Sequence, residues 1–340
     1  MKLVVTGGTG FVGTNVALYF LAQGYDVVAI DNLFKEVGTF ENRQRLLEAG
    51  ARVEHVDIRN HNDVSLFFER NKDVDIVIHA AAQVAFKRSV ANPRLDFEIN
   101  ALGTLNLLES VRLQTQDTLF INCSTNQVYG QLADVPIQEF QTRYDFVDLP
   151  HGISETHRLD FLSPYGCSKG AGDQYTLDYA RIYGLKTVVT RFGGIYGDWQ
   201  YSYEDHGWVA YITKMVLFDK AFNRFGHGKQ VRDVLHVSDI CRAFDMIIKH
   251  PENVLGQAIN IAGGPQNTLS VLELLRLLES LTGNKEKSIV NDMRQGDKVV
   301  CYLDIRKAEN TIGWKPLVDK EQGVARLIEW TRKHVDVSAI

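Results

Sequence analysis

From Leu3 to Arg191 the chain alternates short apolar runs with longer segments of helical spacing, and few folds accommodate that alternation. The runs are Leu3-Thr6, Val27-Asp31, Val53-Asp57, Ile76-Ala80, Leu119-Cys123 and Thr187-Arg191. They are too short for helices and nearly uniformly apolar, as strands are when helices cover both faces of a parallel sheet. Between them Phe11-Gln23, Asp63-Arg70, Pro93-Arg112 and Pro164-Tyr183 have helical spacing, and both prolines suit a first helical turn. The order predicts an α/β protein built on a doubly wound parallel sheet.

Beyond Arg191 the pattern changes. The Gly- and aromatic-rich stretch from Phe192 to Tyr201 reads as a loop and marks a boundary. After it the spacing predicts helices at Trp208-Phe218, Ser238-Lys249, Ser270-Leu281 and Lys320-Lys333, with a strand pair across Phe225-Val237. Residues around Val231-Ala262 are expected to return to the sheet. The expected division is a sheet-bearing unit of residues 1–192 plus about 231–265, and a smaller, interleaved C-terminal unit of residues 193–230 and 266–340. A chain of 340 residues, 45% hydrophobic, can bury a core for each.

Charge and cysteine usage exclude several classes. A net charge of -5, with acidic and basic residues intermingled, offers no basic field for a nucleic acid. The 4 cysteines include no C-x-x-C pair, which argues against a disulfide framework or zinc knuckle and fits a reducing cytoplasm. The longest apolar stretch, near Ile76 to Phe86, is broken by His79 and Gln83, so no membrane span is expected, and the N-terminus does not read as a signal peptide.

Gly7-Gly8-Thr9-Gly10-Phe11-Val12-Gly13 follows the first predicted strand and opens the first predicted helix. With no Cβ atoms in the way, backbone N–H groups at the helix start can face a pyrophosphate. Glycine spacing alone is a weak signal. Its place between strand and helix, with Asp31 closing the next strand, makes this a dinucleotide site in a Rossmann-type sheet. Asp31, beside Asn32, is expected to hold the adenosine ribose. Its charge would repel a 2′-phosphate, so the expected cofactor is NAD rather than NADP, even with Lys35 nearby. Asp57 and Ile58 are placed to meet adenine, although Asp57 also fits a solvated strand end. Ala80, Ala81 and Ala82 either admit the cofactor closely or simply pack.

Tyr165-Gly-Cys-Ser-Lys169 lies at a helix start, and a spacing of four puts phenol and ammonium on one face. The strand Leu119-Cys123 runs straight into Ser124-Thr125, bringing two hydroxyls to the carboxyl end of the sheet, where ligands of such folds bind. A free phenol has a pKa near ~10, and a neighbouring ammonium favours its ionised form. Tyr165 can then act as general base on a sugar hydroxyl, with Ser124 or Thr125 in the hydrogen-bond chain.

Together Gly7, Gly10 and Gly13, Ser124-Thr125, Val128-Tyr129-Gly130, Tyr165 with Lys169, and Arg191 resemble the extended short-chain dehydrogenase/reductase superfamily, its nucleotide-sugar epimerases and dehydratases, along nearly the whole chain. The resemblance implies NAD, a nucleotide-diphosphate sugar as substrate, and the catalytic set Thr125, Tyr165 and Lys169. It also implies cofactor contacts from Phe11, Val12, Asn100 and Cys123. Substrate contacts are implied for Gln83, Val84, Ser124, Asn126 and Gly194, with Arg232 and Arg294 on the pyrophosphate. Gly194 stands where most members carry an asparagine.

Dehydratases of this superfamily place Asp-Glu after the catalytic Thr, whereas this chain has Asn126-Gln127. Amides neither give nor take a proton usefully near neutrality, so epimerisation through a transient keto sugar is expected. The strings Phe97-Asn100, Cys123-Gly130, Ser163-Gly170, Asp205-Val209 and Gly228-His236 are most similar to the subgroup that inverts C2 of CDP-linked dideoxyhexoses, which favours a CDP-sugar. A UDP-sugar 4-epimerase is the alternative enzyme, and a non-catalytic NAD-binding regulator the alternative of another class. The 10 histidines form no H-E-x-x-H and no tight cluster, so no metal is expected. The apolar faces of Pro93-Arg112 and Pro164-Tyr183 serve either the core or a paired-helix homodimer, which the resemblance favours.

Overall fold

The computed structural model describes residues 1–34, 38–293 and 297–336. Seven parallel strands form the central sheet: β1 Lys2–Thr6, β2 Asp26–Asp31, β3 Arg52–His55, β4 Ile76–His79, β5 Leu119–Thr125, β6 Thr187–Phe192 and β7 Gln257–Ile261, in the order β7-β6-β5-β4-β1-β2-β3. In β1, Leu3 lies opposite Val27 of β2 on one side and Ile76 of β4 on the other. Alternate residues supply two cores. Leu3 and Val5 pack with Val16, Phe20 and Phe244, while Val4 packs with Phe67, Phe68, Leu107 and Leu108. A strand buried on both faces keeps few polar positions, which is why these runs read as nearly continuous apolar segments.

From β1 the chain moves outward to β2 and β3, then crosses to β4 on the other side of β1. The crevice at the carboxyl ends of β1 and β4 is therefore the switch point of the sheet, where such folds bind ligands.

Helices Phe11–Ala22, His61–Arg70 and Ser163–Tyr183 form where expected. The segment read as one helix from Pro93 to Arg112 is instead Pro93–Phe97, a π-helical turn Glu98–Leu102, and Gly103–Gln114. A wider turn inside a helix hardly changes its apolar spacing, and such turns concentrate at functional sites. Thr39–Glu48 and Phe86–Ala91 are also helical, the first too polar and the second too short for spacing to reveal.

The expected strand pair across Phe225-Val237 does not form. Gly226 (φ 66°) and Gly228 (φ 77°) redirect the chain. Phe222–Phe225 pairs in parallel with Ser288–Asn291, and Val231–His236 pairs with Gly194–Tyr196, Thr268–Ser270 and Val300–Cys301 in a separate sheet. Of residues 231–265, only Gln257–Ile261 enters the central sheet. Leu235 and, from helix Val237–Lys249, Ile240, Phe244 and Ile247 still pack into the core around Leu3. A further core of Val209, Ile212, Leu274, Leu278, Leu327 and Trp330 joins helices Trp208–Leu217, Val271–Thr282 and Lys320–His334. Among the described residues no helix is long and apolar enough to cross a membrane.

Candidate active site

Gly7 leaves β1 at φ +63°, and a Cβ there would lie 2.6 Å from the Ala81 Cα beyond β4. A Cβ on Gly13 would fall on the Gly7 carbonyl oxygen. Strand, turn and helix therefore close into a cradle that any side chain would fill. The cradle opens on a cleft whose wall includes Gly10, Phe11 and Val12 at the helix start, and Ala80, Ala81 and Ala82 after β4. Asp31 accepts the Thr9 N–H at 3.1 Å and the Leu33 N–H at 2.9 Å, which fixes its carboxylate at the mouth of the turn.

Asp57 is not a solvated strand end. The Arg59 Nε donates to both carboxylate oxygens at 2.9 and 3.1 Å, and Asn32 Nδ2 adds a bond at 3.2 Å. The guanidinium holds the Asp57 carboxyl down at about 2. Arg59 escapes a reading by motif; its only signal is the Asp-x-Arg spacing. Ile58 and Val84 also line this cleft. The set fits a dinucleotide: amides without Cβ atoms for a pyrophosphate, a carboxylate for ribose hydroxyls and an apolar wall for a base. Lys35 lies outside the described residues.

At the carboxyl end of β5, the Thr125 side chain acts on the phenol of Tyr165 in the direction of ionisation, and Tyr165 comes from the first turn of Ser163–Tyr183. One turn further on, buried Lys169 donates from Nζ to the Cys123 carbonyl at 2.6 Å. Burial pushes the phenol up to about 12 and lowers the Lys169 ammonium from its ordinary value. The Cys123 thiol is likewise pushed up to about 12, so Cys123 contributes its carbonyl and no thiolate. Neighbouring strand residues point to opposite faces, and this separates the two hydroxyls. Ser124 donates at 2.7 Å to Asp173, which Arg191 grips on both oxygens at 2.9 Å. The Ser124 hydroxyl, expected at the substrate, makes this buried bond.

Asn100 sits in the π-turn and clamps the Gln83 backbone, accepting from its N–H and donating to its carbonyl, each at 2.9 Å. The Gln83 side chain folds inward, donating to Asp96 at 2.8 Å and accepting the Ala85 N–H at 2.7 Å. Both amides are held by protein partners and shape the loop that presents Val84. Behind them runs a relay. The Ala81 N–H donates to Thr6 Oγ1 at 3.1 Å, Thr6 meets His79 Nδ1 at 2.7 Å, and His79 Nε2 meets Thr104 Oγ1 at 2.9 Å. Thr104 donates in turn to the Asn100 carbonyl at 2.7 Å. The donors run one way only if His79 is neutral and protonated on Nε2, in keeping with burial that brings it down to about 3.

A second cleft of about 250 Å³ lies beside helix Trp208–Leu217, and His206 lines both clefts, so they meet there. Arg232 lines the second and pairs with Asp297 at 2.5 Å. Asn126 is buried, and its carbonyl accepts Lys298 Nζ at 2.8 Å. Gly194 is hemmed in: a Cβ would come within 2.8 Å of the Asp233 carbonyl, so only its backbone can meet a ligand. Arg294 lies outside the described residues. Among the described residues, no group of three His, Cys, Asp or Glu side chains is arranged to hold a metal ion.

Residues 3–262 match the model of the NAD dependent epimerase/dehydratase family. The chain belongs to that family. It is 43% identical to the CDP-paratose 2-epimerase of Salmonella typhi over 337 residues, 97% of this chain and 99% of that enzyme. It is 32% identical to a putative UDP-glucose 4-epimerase of Methanocaldococcus jannaschii over 333 residues, 98% of this chain and 99% of that protein. The crystal structure of Thermotoga maritima UDP-glucose 4-epimerase with UDP-glucose superposes with a TM-score of 0.85 at 30% identity, covering 99% of this chain and all of that one. The Thermus thermophilus UDP-glucose 4-epimerase complex with NAD superposes at 0.83 and 29% identity, covering 98% of this chain and 100% of that one. As an epimerase/dehydratase family member, the chain takes NAD as its cofactor, and the cradle after β1 fits it.

Proposed function

We propose that the chain is a NAD-dependent nucleotide-sugar epimerase that inverts C2 of a CDP-linked dideoxyhexose, interconverting CDP-paratose and CDP-tyvelose. The turn after Thr125 carries this reading. It presents the amides of Asn126 and Gln127 where eliminating water would need groups that give and take a proton. Identity of 43% to a CDP-paratose 2-epimerase supports the choice of carbon and base.

Bound in the first cleft, NAD supplies a hydride acceptor, then a hydride donor, and a positively charged ring when oxidised. Tyr165 takes the proton of the C2 hydroxyl as C2 becomes a carbonyl, and returns it once the keto sugar has turned its other face. Thr125 steadies the phenolate oxygen, and Lys169, anchored on the Cys123 carbonyl, offsets its charge. Asp31 fixes the ribose end, and the pair Asp57 and Arg59 borders the base. Arg232, with Arg294, is assigned to the sugar diphosphate, for which its guanidinium would exchange Asp297. Substrate and product have the same oxidation state, so turnover consumes no added oxidant. Residues 1–192 with about 231–265 are assigned to the NAD side and 193–230 with 266–340 to the sugar-nucleotide side of a cytoplasmic homodimer paired through 93–112 and 164–183.

The test is incubation of the purified chain with CDP-paratose and no added NAD, followed by proton NMR at C2. CDP-tyvelose is expected, with a rate lowered about 10²–10⁴-fold in Tyr165→Phe. Inversion of UDP-glucose at C4 instead would make the chain a 4-epimerase. Bound NAD without turnover of either sugar nucleotide would make it a binding protein.

A further inference from the structure

Next to Asp297 in the chain, Lys298 is only 1% exposed, a buried ammonium outside the catalytic set. Its partners among the described residues are neutral. Nζ donates to the Asn126 carbonyl at 2.8 Å and lies 3.9 Å from the thiol of Cys301, which burial keeps un-ionised. Burying an ammonium is costly, and a charge-assisted bond to a carbonyl offsets part of that cost while fixing the carbonyl in place. Both ends of this bond lead into the site. At one end the Arg232 guanidinium donates from Nη2 to the Lys298 backbone carbonyl at 2.6 Å and to the Asp297 carboxylate at 2.5 Å. At the other, Asn126 opens the tight turn Asn126–Tyr129, and the Gln127 N–H donates to Thr125 Oγ1 at 3.3 Å. That oxygen belongs to the side chain that favours ionisation of the Tyr165 phenol.

We propose that Lys298 is a positioning residue that links occupancy of the diphosphate site at Arg232 to the catalytic turn at Thr125. A diphosphate that takes the guanidinium removes its bonds to Asp297 and to the Lys298 carbonyl. The segment carrying Lys298 is then released, and the ammonium draws the Asn126 carbonyl and the Gln127 N–H with it. This changes how Thr125 Oγ1 is divided between the Gln127 N–H and the phenol. The link rests on the assignment of Arg232 to the sugar diphosphate, which calorimetry tests apart from the link itself.

The NAD-loaded protein, with isotope-labelled threonine methyl groups, is titrated with CDP while NMR follows the Thr125 methyl signal, assigned by its loss in Thr125→Ser. Calorimetry on the same samples measures binding. In the wild type CDP is expected to bind and to shift the Thr125 signal; in Lys298→Met it is expected to bind and leave the signal in place. A signal that shifts equally in Lys298→Met reports direct contact and overturns the link, as does a wild-type signal unmoved by bound CDP. Binding of UDP in place of CDP would correct the base of the substrate, and the same titration with UDP then tests the link. Binding of neither removes the diphosphate site and the link with it. In turnover, kcat of Lys298→Met is expected to fall about 10–10²-fold with KM within a few-fold, as a displaced catalytic group would cause. A merely structural role would lower the unfolding midpoint and spare kcat, and an unchanged kcat overturns the proposal. If Lys298→Met fails to fold, Lys298→Gln, which also removes the charge and shortens the reach, is measured in its place with the same outcomes expected.

Discussion

Thr125→Val and Ser124→Ala delete hydroxyls from adjacent positions of β5 and should have opposite signatures. Thr125 favours ionisation of the Tyr165 phenol, so its loss is expected to lower kcat about 10²–10⁴-fold with little change in the unfolding midpoint. Ser124 meets Asp173 in a buried pair with Arg191, so its loss is expected to remove about 1–3 kcal/mol of stability and leave kcat within a few-fold. Steady-state kinetics beside denaturant titrations separate the two. At this scale the sequence displays residue types at the sheet edge but not their directions. The same gap explains Gln83, whose position by the cleft was legible while its inward turn was not. Asp96 was invisible for a related reason: a carboxylate in a first helical turn normally faces solvent, and here the Gln83 and Asn100 amides and Ser168 of Ser163–Tyr183 enclose it.

The elements around the switch point are held by a side-chain relay rather than by packing alone. His79 of β4 links Thr6 of β1 to Thr104 of Gly103–Gln114, and through it to the π-turn. Its folded pKa is brought down to about 3 from 6.5 by burial. Between those values the unfolded chain binds a proton that the folded chain refuses, so His79 stabilises the fold above pH 6.5 and stability falls as pH drops toward 3. The slope is about 1.4 kcal/mol per pH unit for each such proton. Buried His236, brought down to about 4, adds to it. His79→Gln is expected to be less stable overall but to lose one proton from the slope between pH 6.5 and 4.5, as read by denaturant titrations across that range. An equal slope in the variant would refute the neutral relay. The elements were mostly legible, because apolar strands and long helices announce themselves by period. The π-turn was not, nor the partner of Val231–His236, whose composition matches a strand of the central sheet while its pairing depends on Gly194–Tyr196.

The whole molecule leaves Phe97, Tyr175, Ile182 and Tyr183 exposed along the segments proposed to pair in a homodimer, Ile182 at 63%. A second copy would cover them, and apolar side chains gathered on two helices mark such interfaces. Tyr175→Glu combined with Ile182→Glu is therefore expected to give a monomer in light scattering, with the clefts and bound NAD retained; a dimer of unchanged mass would dismiss the interface. The sheet order has a consequence in time as well as space. β6 is synthesised as an open edge, and its outer neighbour β7 exists only after residues 193–256 have been made. At ribosomal speeds of about 5–20 residues per second that interval is about 3–13 s, during which an apolar strand offers its unpaired amides to any other chain. The nascent protein is thus most exposed to misassembly late in translation, and a chain stopped short of Gln257 should aggregate rather than persist as a smaller cofactor-binding fragment.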